Sequence, residues 1–311
     1  MEFWVGVTDN NWHEFLANLK PDEVNFWQPS GTPPFKKEVE LFLFKLHSPL
    51  NYIVGGGYFV TYTNLPISLA WETFKEKNGV SNFSAFKNII LEYRKARAGV
   101  QEIDPQVGCS VLAQPFFFKQ EDWIPIPEDW KLNIVRGKMY STQTTIGAKL
   151  LEDVQMRLTK PGRDENSQEL LPKPHEVSSR YGSEYLTRAR LGQGSFRVLV
   201  TNAYSRRCAM TGERTLPVLE AAHIKDYAES GPHSINNGLL LRADLHRLFD
   251  RNYLTITTDL KIEVSRRIHE EYENGKDYYK LHGKDLIVRP SFQENLPLIE
   301  YIEWHNEKFL G

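Results

Sequence analysis

The stretch that decides the reading is CAMTGERTLPVLEAAHIKDYAESGPHSINNGLLLRADLHRLFDRNYLTIT, residues 208–257. Val218 to Ile224 reads as a short strand. Tyr227 to Asn236 is a polar loop containing Gly231-Pro232, and Gly238 to Leu241 is a second short apolar strand. Ala243 to Phe249 then takes helical spacing, with Leu245, Leu248 and Phe249 apolar. On this strand, loop, strand, helix order lie His223, Asn237 and His246.

Those residue types suit general-base and metal-ion chemistry. A neutral imidazole can take a proton from water near physiological pH. A cation held by imidazole and oxygen ligands can stabilise charge developing on the leaving and non-bridging oxygens. An asparagine side chain both donates and accepts, so Asn237 can span a loop and orient His223.

LEAAHI (219–224), INNGLLL (235–241) and DLHRLFD (244–250) resemble the HNH endonuclease family, whose fold is a ββα-metal finger. The resemblance implies that His223 is the general base, that Asn237 holds the loop, and that His246 ligates one divalent cation, Mg²⁺ or Mn²⁺. One departure matters. Family members often carry an Asp or His ligand just before the base, and Ala222 stands there. The further metal ligand is then Glu220, if a bulge turns it inward, or Asp250, one helical turn after His246, or both; Asp244 is a third option. Some relatives carry a structural zinc built from two CxxC pairs. Only Cys208 stands in a comparable place, so no structural zinc is expected and packing must replace it. His233 beside Pro232 is expected to face solvent, and Cys208 to be a small buried residue. His269 and His282 receive no role.

Upstream, residues 180–207 hold six arginines and one acid, Glu184. Such a run is a solvated face or a phosphate-contacting surface. Beside the motif, Arg188, Arg190, Arg197, Arg206 and Arg207 are expected to touch the DNA backbone. The net charge of the 311 residues is only -2, so any binding must come from local clusters.

Residues 161–179 are polar, hold three prolines and have no sustained period, as expected of a linker. The expected division is 1–160, a linker at 161–179, and 180–311. The two cysteines, Cys109 and Cys208, build no disulfide framework. MEFWVGVTDNNWHEF has no basic region followed by an apolar run, so no signal peptide, no membrane span and a cytoplasmic location are expected.

The first half is rich in aromatics and short strand-like runs. Strands are expected at Phe3 to Val7, Val24 to Trp27, Glu40 to Leu46, Asn51 to Thr63 and Gly108 to Phe118. Helices are expected at Asn11 to Leu19, Ile67 to Lys77 and Asn82 to Arg97. Gly55, Gly56 and Gly57 suggest a bulge or bend in the fourth strand. LFLFKLHSPLNYIVGGGYFVTYTNLP (41–66) resembles PUA-like β-barrel domains of the EVE and ASCH kind. That resemblance implies an α+β fold: an N-terminal β-barrel with flanking helices, joined to a C-terminal ββα-metal domain. It further implies a slot for a base, often modified, flipped from a duplex, as in modification-dependent restriction endonucleases. The aromatic candidates are Trp27, then Tyr58 and Phe59, then Trp12 and Trp71, with Asn25 or Gln28 reading the base edge. The expected partner is double-stranded DNA carrying modified cytosine. A homodimer is expected because one finger cuts one strand. The rival reading is a sequence-reading or nonspecific nuclease whose first domain binds protein.

Overall fold

The computed structural model describes residues 1–35, 39–95, 102–131, 133–159 and 191–311. The expected linker, Arg188 and Arg190 lie outside the described residues. The chain divides into two compact units, Met1–Gly192 and Gln193–Gly311. Both mix helices and strands.

The first unit runs β1 (Glu2–Thr8), α1 (Asn10–Leu19), β2 (Glu23–Gln28), β3 (Leu41–Leu46), β4 (Tyr52–Pro66), α2 (Ile67–Phe74), α3 (Phe83–Lys95), β5 (Gln106–Phe117), β6 (Ile124–Pro125), β7 (Gly137–Ser141) and α4 (Thr145–Leu158). The sheet order is β2-β5-β4-β3-β1-β7, with β6 on β4. The β1/β3 pair is parallel and the other pairs are antiparallel.

The run Leu41-Phe42-Leu43-Phe44 explains the layering. Leu41 and Leu43 pack with Phe3, Val5 and the α4 residues Leu150 and Val154. Phe42 and Phe44 pack on the other face with Trp12 and Leu16 of α1 and Val24 and Phe26 of β2. A strand covered on both faces reads as a continuous apolar run, because neither set of alternating side chains meets water. Asp9 caps α1 by accepting from the backbone N–H of Asn11 and Trp12.

The edge strand β2 shares a core with Trp4 and Phe42, so the sheet curls around that side. Arg136, just before β7, donates from Nη2 to Gln28 Oε1 and Thr32 O, each at 3.1 Å. Among the described residues β2 and β7 end the sheet without a ladder between them, and the Arg136 side chain, directly before β7, bonds Gln28 at the end of β2.

The three glycines do not end β4. A Cβ at Gly55 would lie 2.2 Å from the Phe116 carbonyl oxygen, and one at Gly56 would lie 2.7 Å from that of Phe42. They permit close approach of both neighbouring strands, and the register with β5 shifts at the last of them, between Gly56 and Tyr58. Helix α2 ends at Phe74 rather than Lys77, because Lys75 takes a left-handed φ of 47° and a short 3₁₀ turn follows.

The second unit begins with α5 (Gln193–Ala203), then β8 (Leu219–His223), β9 (Gly238–Arg242), α6 (Ala243–Asp250), β10 (Leu254–Ile256) and β11 (Ile262–Val264). Short helices α7 (Arg267–Tyr272) and α8 (Lys276–Tyr279) follow, and α9 (Ile299–Asn306) comes last. Strands β8 and β9 are antiparallel, with His223 opposite Gly238 and Glu220 opposite Leu241. A Cβ at Gly238 would lie 2.4 Å from Val200 Cγ2, so glycine lets β9 rest directly on α5. Cys208, Ala209 and Met210 are buried in the core with Leu240, Leu245 and Phe249, and the Ala209 N–H donates to Leu240 O at 2.7 Å. Among the described residues no helix is long and apolar enough to cross a membrane.

Candidate active site

His223 ends β8 and is half-buried. Phe196 of α5 lies flat against its ring, with centroids 3.9 Å apart and planes 10° apart. Its Nε2 is 2.9 Å from Nδ1 of His233. Tyr227 stacks on His233 in turn, at 4.2 Å and 9°. The expectation that His233 faces solvent is therefore corrected: it is half-buried and bonded to the base candidate. Burial, and then the neighbouring His233, lower the His223 pKa from 6.5 to about 4, while Asp226 opposes them. His223 is thus a neutral imidazole at physiological pH. His246 and Asp250 also lie near enough to influence its titration.

Asn237, directly before β9, is fully buried. Its Oδ1 accepts from the Lys225 N–H at 2.8 Å, and its Nδ2 donates to Lys225 O and Pro232 O, each at 2.9 Å. Its own carbonyl accepts from the Ile224 N–H at 2.9 Å. One side chain thus pins both ends of the loop that carries His233. Gly231 sits inside that loop, where a Cβ would lie 1.9 Å from Lys225 O. No bulkier residue fits without moving backbone.

His246 occupies the middle of α6 and is flanked by two carboxylates. Oε2 of Glu220 is 2.7 Å from its Nδ1. Oδ2 of Asp250, one turn along α6, is 3.3 Å from its Nε2. Burial pulls the His246 pKa down, but Asp250 and Glu220 outweigh it, and the net shift is upward. Glu220 reaches His246 from a β8/β9 ladder whose register is unbroken from Leu219 to His223, so the bulge expected for it is not needed. Asp244 is engaged elsewhere, accepting from Arg242 Nε at 2.6 Å and Nη2 at 2.7 Å.

The two carboxylates hold opposite nitrogens of one ring, so the three side chains do not meet at a point. Among the described residues no set of three His, Cys, Asp or Glu side chains is arranged to hold a metal ion. What the chain offers is a pair, Nε2 of His246 and the Asp250 carboxylate. The donor chemistry fits a divalent cation that keeps water and phosphate oxygens as its other ligands. A carboxylate can only accept, so Glu220 keeps the proton on Nδ1 and leaves the lone pair on Nε2. A second proton at Nε2 would face Asp250, which is why the pKa is raised. A cation would take that place.

Arg197 on α5, and Arg206 and Arg207 just after it, are half-buried. In the first unit, a pocket of about 480 Å³ is lined by Trp12, Phe26, Trp27, Gln28, Tyr93 and Arg136, among others. Trp27 is fixed there by an Nε1–H bond to Asn78 O at 2.8 Å and by edge contacts to Phe86 and Tyr93. Tyr58, Phe59 and Trp71 do not line this pocket. Tyr58 is buried beside Leu41 and Ile53, Phe59 packs on Phe35, and Trp71 packs on Phe83 and Phe86. Asn25 is also buried away from it, donating to Asn78 and Cys109. The sequence reading has no role for Tyr93 or Arg136 and places His233 in solvent. None carries a local signal, since each acts through a fold-dependent neighbour.

Residues 208–257 match the model of a family described as HNH endonuclease. No curated protein matches the chain. Among solved structures, the chain is similar to ASCH from Zymomonas mobilis at 11% identity, covering 48% of this chain and 94% of that one, with a TM-score of 0.31. It is also similar to the modification-dependent TagI restriction endonuclease at 13% identity, covering 93% of this chain and 76% of that one, with a TM-score of 0.27.

Proposed function

We propose, with residues 208–257 as an HNH endonuclease segment, that this protein is a DNA endonuclease triggered by modified cytosine. Residues 1–160 recognise the base and residues 180–311 hydrolyse the phosphodiester bond. The observation that carries the nuclease reading is the pairing of a neutral imidazole, His223, with the nearby carboxylate-flanked imidazole of His246.

Each group has a distinct task. His223 takes the proton of the attacking water, and its low proton affinity keeps it in the accepting form. Asn237 fixes the loop and so the strand end that carries His223. Glu220 orients His246. One divalent cation, Mg²⁺ or Mn²⁺, held by His246 and Asp250, would supply charge neutralisation at the leaving 3′-oxygen and the non-bridging oxygens. Arg197, Arg206 and Arg207 flank the finger and contact phosphates.

The pocket at Trp27 supports the recognition half of the proposal. An extruded base needs aromatic faces and a few polar groups in a concave site, and Trp27, Tyr93, Gln28 and Arg136 provide that mixture. Each finger cuts one strand, so two copies act together in a double-strand break.

Parallel digestion of plasmids with and without cytosine modification, in Mg²⁺ or Mn²⁺, tests this. Cutting confined to modified DNA supports the proposal. Equal cutting of both plasmids removes modified-base recognition and leaves a nuclease of other specificity.

A further inference from the structure

We infer that His233 is a positioning residue for the base: its Nδ1 accepts the Nε2–H of His223 and thereby keeps the lone pair of His223 on Nδ1, ready to take a proton from water. The inference rests on the nuclease reading of His223.

The geometry comes first. The two nitrogens are 2.9 Å apart, and each ring is clamped by an aromatic plane, Phe196 against His223 and Tyr227 against His233. Stacking at 10° and 9° restricts rotation of either imidazole. The backbone is equally held. Asn237 bonds Pro232 O, the carbonyl directly before His233, and Lys225, two residues after His223. Two loop-linked imidazoles are thus brought edge to edge by packing that neither ring controls.

The proton count then fixes the roles. A bond between two neutral imidazoles contains one shared proton. If His233 donates it, Nδ1 of His223 must carry the other ring proton, and His223 cannot act as a base there. If His223 donates, its Nδ1 is the accepting atom. Only the second arrangement is productive, and it also strengthens during reaction. Once His223 gains a proton at Nδ1, its Nε2–H becomes a charge-assisted donor to His233. A histidine in this role is a second-layer support, and its partner groups decide which nitrogen is basic.

The charged and titratable groups around His223 are His233, Asp226, His246 and Asp250.

Two substitutions separate the bond from the packing. His233→Asn places an amide oxygen where Nδ1 stands, so the acceptor is kept. His233→Phe keeps a ring to stack on Tyr227 and removes the acceptor. The expected result is a kcat loss of ~10²-fold for His233→Phe and under ~10-fold for His233→Asn, with KM for DNA little changed. Equal rates in wild type, His233→Asn and His233→Phe would overturn the inference. So would a loss in His233→Asn as large as in His233→Phe when both keep the wild-type melting temperature.

A second readout does not depend on activity. Nitrogen-15 shifts of the histidine rings should show the Nε2–H tautomer for His223 in the full-length wild type. They should show mixed tautomers in His233→Phe. An Nδ1–H tautomer of His223 in the wild type would overturn the inference. A wild type that folds, shows the Nε2–H tautomer and cuts no DNA would instead count against the nuclease reading.

Discussion

Glu220 Oε2 lies 2.7 Å from Nδ1 of His246, with Asp250 on the opposite nitrogen of the same ring. On the proposed reading the Glu220 contact sets the tautomer and the Asp250 contact completes a donor pair for the cation. Glu220→Gln retains an acceptor and should reduce cleavage only a few-fold, whereas Glu220→Ala should cost about 10–100-fold at fixed metal concentration. Equal rates for Glu220→Ala and wild type across a metal titration would remove Glu220 from the site.

Asp250→Asn keeps the size of the side chain and removes its charge. The metal concentration giving half-maximal cleavage should rise at least about tenfold, with the rate partly recovered at high Mn²⁺. Chelation by EDTA should abolish cutting in wild type and variant alike. An unchanged metal titration would show that Asp250 does not hold the ion.

The pH profile has a definite sign. His223 must be unprotonated to accept the water proton, and its pKa is lowered from 6.5 to about 4, by burial first and His233 second. Above about 4 the base is competent, so kcat/KM at saturating metal should stay level from about pH 7.5 down to about pH 5.5 and fall only below that. An ordinary histidine would already have lost half its activity at 6.5. An acid limb centred there would contradict the buried environment of His223.

Asn237 tests the loop. Asn237→Ala strands the Lys225 N–H and two carbonyl oxygens, and should destabilise the second unit by about 2–3 kcal/mol. Asn237→Asp should cost more, because it turns an oxygen toward both carbonyls. Chemical denaturation of the full chain measures this. A loss below about 0.5 kcal/mol for Asn237→Ala would show that the loop is held by other means.

Trp27→Ala should erode discrimination between modified and unmodified DNA by about 1–3 kcal/mol, roughly the stacking of one base. Cleavage of DNA at saturating concentration should change less. The affinity ratio for the two DNAs measures it, with the melting temperature checked because Trp27 also packs on Phe86 and Tyr93. An unchanged ratio would remove Trp27 from the recognition slot.

Much of the secondary structure is readable from period and punctuation. The change from apolar strand residues at Leu239–Leu241 to helical spacing at Leu245 and Phe249 marks the β9–α6 turn directly. Leu150, Val154 and Leu158 repeat at helical intervals in α4 as well, but that helix follows an irregular stretch and is passed over. Strands β10 and β11 are three residues each and too short to show a period. The loop is harder still. His233 meets His223 only because Asn237 folds the chain back on itself, and no residue spacing encodes that. Arg136 lines the Trp27 pocket from a segment more than a hundred residues away. The curl of the sheet is likewise a matter of curvature, which Leu-Phe alternation does not specify.

The most direct measurement is plasmid nicking by His223→Ala beside DNA binding by the same protein. Loss of the proton acceptor should lower the cleavage rate by about 10²–10⁴-fold while the affinity for DNA stays within about twofold. Nicking at the wild-type rate would mean that another group activates the water and that the site is built around the wrong imidazole.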